Sequence, residues 1–413
     1  MTVVDAEPAP TPLGGPTPDY SAYHPRSPAV RHDPYPFYAH LRQHEPVRYV
    51  PDLNAFAVSR HADVRAVLLD HARFSSDPLI DIAFGEGNPA PNAPYMIASD
   101  PPDHTRLRTL VNKAFSRRAL DAQRDKIEKI VADLIAAISA GVEFEFIAAV
   151  ASPLPVHIIG QIMGIETELD TTFRRWSNTV SSGGEAANVS AAQRAEIRQD
   201  AAEFRDYFHA RIDAARRRPR DDLISDLVQA EEAGDRLSAE EVLALCVLLL
   251  VAGNETTTGL LCNILVGLRD FPRQEQLVRA DLRLLPNLTE EILRYHSPTQ
   301  LLFRRATVAT EICDVEISVN AIVIPIYGSA NRDETVFAHA DELDVLRTDL
   351  RQHMAFGWGI HLCVGQALAL LESELAIKQL FTRFRRIEIT QTTIDWCDPF
   401  YMRHPKALRV RCE

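Results

Sequence analysis

Apolar residues recur at helical spacing over most of residues 102–270, a pattern that is typical of a large helical body. The same spacing predicts individual helices at Leu154–Met163, Leu169–Val180 and Ala191–Arg218. Between the last two lies Ser181–Ser190, whose Ser, Gly, Ala and Asn residues have the composition of a hinge or lid. The middle of the chain is therefore expected to be helical, with one connection of this kind.

Short β-branched runs near both ends of the chain predict a smaller β portion. Val47–Val50 and Ala55–Val58 flank a turn and form a predicted hairpin. Further strands are predicted at 305–312, 314–318, 321–327 and within Cys397–Val410. The pattern as a whole favours a mainly α fold with a minor β portion, in which a large helical body lies beside a small β-rich lobe.

One predicted helix is unusually long and apolar. Ser238 and Glu241 form a capping-box pattern at its start, and Pro272 follows its predicted last residue, Asp270. At 1.5 Å per residue this helix is roughly 48 Å long. Residues 242–253 carry no charge, but this run is shorter than the roughly 18 apolar residues that a membrane span requires. A central helix buried in a large domain is therefore favoured over a transmembrane helix.

Gly253, Glu255 and Thr256 interrupt this apolar helix. An ionised glutamate is costly to bury, and glycine weakens a helix by about 1 kcal/mol relative to alanine. A threonine hydroxyl can bond to the carbonyl four residues back and open the helix locally. The pattern alone leaves two interpretations open: a polar patch that bends the helix around a water molecule, or a functional site.

Two segments lack regular patterning. Residues 1–29 contain seven prolines and are expected to form a disordered arm, which leaves residues 30–413 as a single domain. Residues 76–98 mix Pro, Gly and Asn with bulky apolar residues. Long irregular stretches in compact proteins are often functional, so this segment is a candidate part of a site.

Composition narrows the function classes. The chain has 44 basic and 57 acidic residues among 413, a net charge of −13, and no long basic run, which argues against a nucleic-acid partner. Its six cysteines form no C-x-x-C pattern, so neither a zinc site nor a disulfide framework is indicated. With no signal-peptide pattern at the N-terminus, a cytoplasmic location is expected.

A cysteine at the start of a predicted helix is the strongest candidate for chemistry. A lone intracellular cysteine is usually a small buried apolar residue. Cys363, however, is surrounded by Gly357, Gly359 and Gly365, which let backbone amides and a large planar group approach, and His361 lies two residues upstream. The positive end of a helix stabilises a thiolate, and without a catalytic partner such a thiolate suits metal ligation better than nucleophilic attack.

The segment from Phe356 to Gly365 resembles the haem-binding signature of the cytochromes P-450, Phe-x-x-Gly-x-His-x-Cys-x-Gly. Ala252–Thr256 is similar to the oxygen-activation motif of their central helix. Glu291 and Arg294 match their Glu-x-x-Arg pair, and the stretch from Asn331 to Arg347 resembles their meander region. The resemblance covers about residues 30–410.

This resemblance implies a haem b cofactor (iron protoporphyrin IX) with Cys363 as the axial ligand of the iron. Phe356 would shield the sulfur. His104, Arg108 and His361 match residues that hold the haem propionates, and so does Arg304, although Arg305 beside it leaves that assignment open between the two. The full implied cofactor-binding set is His104, Arg108, Ala252, Gly253, Arg304, Phe356, Gly357, His361, Cys363 and Gly365.

The resemblance also assigns roles around the haem. Glu255 and Thr256 match the acid–alcohol pair that delivers protons during dioxygen activation, and they are the implied catalytic residues. Glu291, Arg294 and Arg347 match a buried structural brace on the proximal side.

By position, the substrate pocket is expected to be mostly apolar, which favours a lipophilic substrate such as a terpenoid, steroid, fatty acyl or macrolide-like compound. Its expected lining residues are Ile80, Ile82, Phe84, Met96, Ile97, Leu301, Leu302, Phe400 and Tyr401. The alternative is that these residues are ordinary core.

The chain shows no flavin or nicotinamide fingerprint and no membrane anchor, so the resemblance implies electrons from an iron–sulfur ferredoxin and an NAD(P)H ferredoxin reductase. Lys113, Arg117 and Arg118 form either a ferredoxin docking patch or an ordinary solvated helix face. The expected enzyme is a monomeric monooxygenase that uses dioxygen. Two rivals are a haem-thiolate enzyme driven by hydrogen peroxide and a haem-binding sensor.

Overall fold

The computed structural model describes residues 18–77, 88–114, 117–166, 169–182, 190–232 and 234–413. It is mainly α with a minor β portion, which confirms the predicted fold class. The helices are α1 Pro28–His32, α2 Tyr35–His44, α3 His61–Leu69, α4 Asp103–Ala114, α5 Arg117–Ala136, α6 Pro153–Met163, α7 Asp170–Ser182, α8 Ala191–Arg217, α9 Leu223–Gln229, α10 Ala239–Asp270, α11 Pro272–Ala280, α12 Leu285–Tyr295, α13 Tyr327–Ala330 and α14 Gln366–Arg383. Most of the predicted hinge, residues 183–189, lies outside the described residues.

The central helix α10 begins at the predicted cap. The Ser238 hydroxyl accepts a hydrogen bond from the Glu241 amide at 3.2 Å, and the Glu241 carboxylate accepts one from the Ser238 amide at 2.7 Å. The helix packs against α6, α7, α12 and α14 in the main apolar core. Among the described residues, α10 alone is long and apolar enough to cross a membrane, but 67% of its most apolar window is buried inside the protein. That burial is the pattern of a core helix.

The β portion consists of short strands from distant parts of the chain. The strands are β1 Val47–Val50, β2 Ala55–Val58, β3 Phe74–Ser75, β4 Glu143–Glu145, β5 Glu231–Glu232, β6 Asp235–Arg236, β7 Arg304–Ala306, β8 Thr310–Ile312, β9 Val315–Ile317, β10 Ile322–Pro325, β11 Ile387–Ile389 and β12 Arg409–Cys412. The largest sheet has the order β1-β2-β10-β7-β3, and a second has the order β11-β12-β4. The predicted hairpin is present, with Val47 opposite Val58 and Val50 opposite Ala55.

Two strand predictions need correction. The predicted strand 305–312 is split into β7 and β8, because β7 pairs with β10 whereas β8 turns back to pair with β9. Within Cys397–Val410 the only regular strand is the start of β12, and the rest makes isolated bridges. Pro399 and Pro405 lack the amide proton that a ladder needs, which interrupts a continuous strand.

The amino-terminal segment packs on the β-rich part from residue 18 onwards. Tyr23 is only 3% exposed, and the Tyr20 ring meets Phe37 edge to face with centroids 5.3 Å apart. The Ser27 hydroxyl accepts a hydrogen bond from the Val30 amide and caps α1. The disordered arm predicted for residues 1–29 therefore does not reach residue 29, because these tyrosines supply the burial that the prolines cannot. Residues 1–17 lie outside the described part of the chain.

Candidate active site

The cysteine loop, residues 356–365, connects the irregular segment that follows α13 to α14. The Cys363 amide donates a hydrogen bond to the Phe356 carbonyl at 2.9 Å, which closes the loop. Gly357 and Gly359 have φ values of +73° and +71°, in the left-handed region that favours glycine. A β-carbon on Gly359 would lie 2.7 Å from the carbonyl oxygen of Leu68 in α3. The loop is thus seated against α3 at a point where only glycine fits.

The Cys363 thiol faces the interior of the molecule at the start of α14. Burial raises its pKa, while the amides of Gly365 and Gln366 and the positive charge of Arg108 act in the opposite direction. Its surface is nevertheless accessible, because the thiol lines a large cavity. A sulfur in this position is available to a ligand from the cavity side, and a metal cation there would favour its thiolate form.

The cavity has a volume of about 240 Å³ and lies between the cysteine loop and α10. Most of its wall is aliphatic, with Met96 and Ile97 from the irregular segment and Leu302 from the strand region. Sequence reasoning missed several of its wall residues: Ile159, Ile162, Met163, Leu223, Leu248, Leu249, Thr257, Leu260 and Thr299. All of them except Thr299, which makes an isolated bridge with Met402, belong to helices. The sequence pattern of such a helix does not distinguish a residue facing a cavity from one facing the core.

Three of the predicted lining residues lie elsewhere. Leu301 is fully buried in a second apolar cluster, and Phe400 and Tyr401 pack against that cluster with Phe400 edge to face on Phe303. None of the three lines the cavity. Near Phe400 the carboxyl-terminal tail, residues 397–413, packs against the amino-terminal segment instead. Ile80, Ile82 and Phe84 lie outside the described residues, and so do the side chains of Lys113, Arg117 and Arg118.

A cationic and imidazole edge borders one side of the cavity. His104 and Arg108 from α4, Arg304 from β7 and His361 from the cysteine loop all line it. The rings of His104 and His361 have centroids 4.3 Å apart, and His361 contacts the Ser76 hydroxyl at 2.9 Å. Burial, followed by the nearby arginine charges, lowers the pKa of His104 to about 4 and that of His361 to about 3.

The partners of this edge indicate an anionic ligand. Within the described residues, neither ring nitrogen of buried His104 has a hydrogen-bond partner. Arg108 donates to the neutral Asn112 amide oxygen, and Arg304 donates to the Phe303 carbonyl. No carboxylate of the described part of the chain lies within ion-pair distance of either arginine. Arginine and imidazole groups that no carboxylate pairs with, at the edge of an apolar cavity, fit a flat apolar group with acidic substituents, such as a haem with its propionates.

The choice between two adjacent arginines follows from their partners. Arg304 is 4% exposed and lines the cavity. Arg305 points the other way and pairs with Asp77 at 3.3 Å, with 37% of its side chain exposed. Arg304 is therefore the arginine placed to meet a ligand.

On the opposite wall, α10 presents Ala252, Gly253 and Thr256 to the cavity. The Thr256 hydroxyl donates to the Ala252 carbonyl at 2.5 Å. A β-carbon on Gly253 would lie 2.7 Å from the Ile159 Cδ1, so this glycine makes room for a neighbouring helix. Glu255 is not among the lining residues, and its carboxylate contacts His404.

Behind the cysteine loop, three charged residues form a buried cluster. Arg294 donates two hydrogen bonds to Glu291, at 2.7 and 2.8 Å, and both side chains are fully buried. Arg347 donates to the same carboxylate at 3.3 Å and to the carbonyls of Ala338 and His339. The structure thus brings together the three residues of the expected brace, and it joins α12 to the segment before the loop.

Sequence reasoning also missed Glu372, a carboxylate on α14 that lines the cavity. Burial raises its pKa to about 8, and its Oε2 has no hydrogen-bond partner among the described residues. The available signal was a glutamate directly after the apolar run Ala367–Leu371 of α14, nine residues after Cys363.

Comparisons with known proteins agree on one family. The cytochrome P450 family model matches residues 183–410. A cytochrome P450 107B1 from Saccharopolyspora erythraea is 37% identical over 96% of this chain and 98% of its own length. The 6-deoxyerythronolide B hydroxylase of the same organism is 36% identical over 92% of this chain and 96% of its own length.

Solved structures give the same result. Cytochrome P450 CYP109Q5 from Chondromyces apiculatus superposes with a TM-score of 0.86 at 35% identity, covering 94% of this chain and 97% of that one. CYP109E1 from Bacillus megaterium, in complex with corticosterone, superposes with a TM-score of 0.84 at 30% identity, covering 93% of this chain and 99% of that one. Sequence and fold therefore agree over nearly the whole chain.

Proposed function

The chain belongs to the cytochrome P450 family of monooxygenases, and on that premise we propose that it is a ferredoxin-dependent enzyme that hydroxylates or epoxidises a lipophilic small molecule. The observation that carries this proposal is the position of Cys363 at one wall of an apolar cavity whose opposite wall holds Thr256.

We propose haem b as the cofactor, because the donor set fits a haem with an axial thiolate ligand. Cys363 would bind its iron, and Phe356, Gly357 and Gly365 would lie beside that sulfur. The propionates would meet His104, Arg108, Arg304 and His361, while Ala252 and Gly253 would lie above the ring. When bound, the haem supplies an iron that binds and activates dioxygen with two electrons.

The polar residues of α10 are proposed to handle protons. In the proposed acid–alcohol pair of Glu255 and Thr256, Thr256 supplies the hydroxyl, and its side chain lines the cavity. Its neighbour Glu255 is partly exposed and is proposed to exchange protons with solvent on the other side of the helix. The pair would deliver protons to the reaction while the aliphatic wall excludes bulk water.

The proposed substrate class follows from the cavity wall and from the relatives. Apart from a few threonine hydroxyls, the side chains on the α10 side of the cavity are mainly aliphatic. A substrate would therefore be held there chiefly by apolar contacts. One relative is a 6-deoxyerythronolide B hydroxylase, and one similar structure contains corticosterone. A macrolide-like, polyketide or steroid-like molecule is therefore the preferred class to test, ahead of a terpenoid or fatty acyl compound.

Electrons are proposed to come from an iron–sulfur ferredoxin and an NAD(P)H ferredoxin reductase. We further propose a monomeric cytoplasmic protein whose residues 30–413 form a single domain, with residues 18–29 packed on it, and which has no nucleic-acid partner. The acidic net charge of −13 supports the exclusion of nucleic acid.

Reconstitution tests the proposal. Purified holoprotein is incubated with a ferredoxin, its reductase, NAD(P)H and a panel of macrolactones and steroids under isotopically labelled dioxygen. We expect a product that contains one labelled oxygen atom, and no product from Cys363→Ser, which should also lose the thiolate-type spectrum of its reduced carbon monoxide adduct. Turnover with hydrogen peroxide but not with the electron-transfer chain would contradict the ferredoxin dependence, and spectral binding without turnover would indicate a sensor.

A further inference from the structure

The carboxylate of Glu255 has a partner on the carboxyl-terminal tail. His404 Nε2 lies 3.3 Å from Glu255 Oε1, although the two residues are 149 positions apart in sequence. The His404 side chain is 12% exposed and that of Glu255 is 33% exposed, so the pair lies at the edge of the packed interior. Glu255 does not line the cavity that Thr256 lines.

Backbone contacts hold His404 in this position. The Arg403 amide donates to the Pro298 carbonyl at 2.7 Å, and the Cys397 amide donates to the His404 carbonyl at 2.9 Å. These two bonds fix the tail on both sides of the imidazole.

The central helix is shaped to receive the histidine. Gly259 lies one turn after Glu255 on the same face of α10. A β-carbon on Gly259 would be 3.3 Å from the His404 Cβ and 3.5 Å from its Cδ2. The same β-carbon would be 3.2 Å from the Pro298 Cβ, so even an alanine would require Pro298 and His404 to shift slightly, and glycine lets both pack closely on the helix.

The hydrogen-bond partners define the charge of the imidazole. His404 Nδ1 lies 2.9 Å from the Pro405 carbonyl, which can only accept, so Nδ1 carries a proton. Nε2 faces an ionisable carboxylate, and a proton on Nε2 completes an ion pair. The ionisable groups beside His404 are Glu255 from α10 and Cys397 from the tail.

Electrostatics agrees with this geometry. Burial by itself lowers the pKa of His404, but the side-chain hydrogen bonds that its imidazole makes with Cys397 and donates to Glu255 outweigh burial, and the pKa is raised to about 10. At neutral pH the histidine is therefore a cation.

We propose that His404 is a positioning residue for Glu255: as an imidazolium it holds the Glu255 carboxylate on the tail side of the central helix and fixes the orientation from which that carboxylate takes part in proton delivery. The inference rests on the proposed role of Glu255. No covalent step is required, because His404 acts on Glu255 through one charged hydrogen bond that forms and breaks.

Histidine titration followed by NMR tests the pair itself. Holoprotein in the reduced carbon monoxide form, with labelled histidine, is compared with Glu255→Gln, and the His404 signal is assigned from its loss in His404→Gln. We expect a parent pKa well above 7.5 that falls by about one to three units in Glu255→Gln. A His404 signal that titrates below pH 7.5, or whose pKa is unchanged in Glu255→Gln, would overturn the proposed ion pair between His404 and Glu255.

Coupling, measured as product formed per NAD(P)H consumed between pH 6 and pH 10.5, tests its consequence. In the parent, coupling should decline as the pH rises towards 10, whereas His404→Gln should be several-fold less coupled at pH 7 and lack that decline. His339→Gln is the matched control, since His339 pairs with Glu342 at 3.5 Å but is 76% exposed. Coupling profiles of His404→Gln and the parent that superpose would overturn the positioning role.

The two proposals fail differently. If Glu255→Gln retains full coupling while NMR shows the charged pair, the proton-delivery role of Glu255 in the proposed function is wrong, and the positioning role falls with it. If Glu255→Gln is uncoupled but His404 is neutral in the parent, the proposed function stands and the inference about His404 is overturned.

Discussion

The adjacent residues Glu255 and Thr256 of α10 face different parts of the molecule, and this separation is the main feature at the scale of single residues. Thr256 lines the cavity and donates to the Ala252 carbonyl, whereas Glu255 lies against His404. Successive helical residues are about 100° apart, so one apolar helix can present a hydroxyl to a substrate and a carboxylate to the tail. A proton delivered through Glu255 therefore has to move from the side of α10 that faces His404 to the side that lines the cavity.

Thr256→Ala should retain the thiolate-type spectrum but lower the product formed per NAD(P)H by about tenfold or more, because it removes the only proposed hydroxyl of the relay. Electrons should appear as hydrogen peroxide instead. Thr382→Ala is the matched control, since Thr382 makes the same bond to a carbonyl four residues back, at 2.7 Å, on an exposed helix face. Equal coupling in Thr256→Ala and the parent would contradict the relay role.

At the scale of elements, the site depends on two contacts that seat the cysteine loop. One is the approach of Gly359 to the end of α3, and the other is the buried cluster that joins α12 to the segment holding Arg347. Neither contact involves the cavity directly. Both determine where the loop lies, and thereby where the Cys363 sulfur is held.

Gly359→Ala should destabilise the protein more than Gly141→Ala. Both glycines have positive φ, +71° and +76°, so each substitution should cost about 1–2 kcal/mol of backbone strain. Only at Gly359 would the new methyl group also meet a backbone oxygen, that of Leu68, whereas nothing lies within 4 Å at Gly141. Denaturant unfolding and the fraction of purified protein that retains haem measure the difference. Equal losses in the two variants would show that the close approach to α3 does not matter.

Glu291→Gln should lower the free energy of unfolding by about 3–5 kcal/mol, because it leaves the buried guanidinium of Arg294 without its counter-charge. The exposed pair Arg283–Asp281, at 2.8 Å, gives the comparison: Asp281→Asn should leave the denaturant midpoint unchanged within error. Chemical unfolding followed by circular dichroism measures both variants. A similar small effect in both would contradict the bracing role of Glu291.

At the scale of the whole molecule, the tail returns to the middle of the chain. Residues 298–299 and 402–405 meet beside α10, and β12 joins a sheet with β4 and β11. The tail therefore connects the β-rich part with the central helix. Its contact with α10, between His404 and Glu255, is expected to make the stability of the fold depend on pH.

The stability contributed by His404 should be fully present below pH 6.5, the ordinary pKa of histidine, and should be lost as the pH rises through about 10. Over that interval the folded state binds more protons than the unfolded state, so the unfolding free energy falls by at most about 1.4 kcal/mol per pH unit from this group. Denaturant titrations of the parent and His404→Gln at pH 6.5, 8 and 9.5 measure it. The gap between the two proteins should narrow as the pH rises, and a constant gap would contradict the linkage.

Local patterns in the sequence determined much of the architecture. The capping box of Ser238 and Glu241, the uncharged run after it and the stop at Pro272 define α10 from neighbouring residues alone. The hairpin at Val47–Val58 follows equally from local patterning. The glycine-rich segment around Cys363 is also local, since its backbone conformation needs glycine at the positions that have positive φ.

The tertiary structure alone decided which distant groups meet. It separated Arg304 from Arg305, placed Phe400 and Tyr401 against the amino-terminal segment instead of the cavity, and brought His404 to Glu255. Local patterns encode helices and turns because hydrogen bonds and side-chain spacing act over a few residues. The face that a residue presents to a cavity, and the partner of a buried charge, depend on how the chain returns on itself, which is settled only when the elements pack.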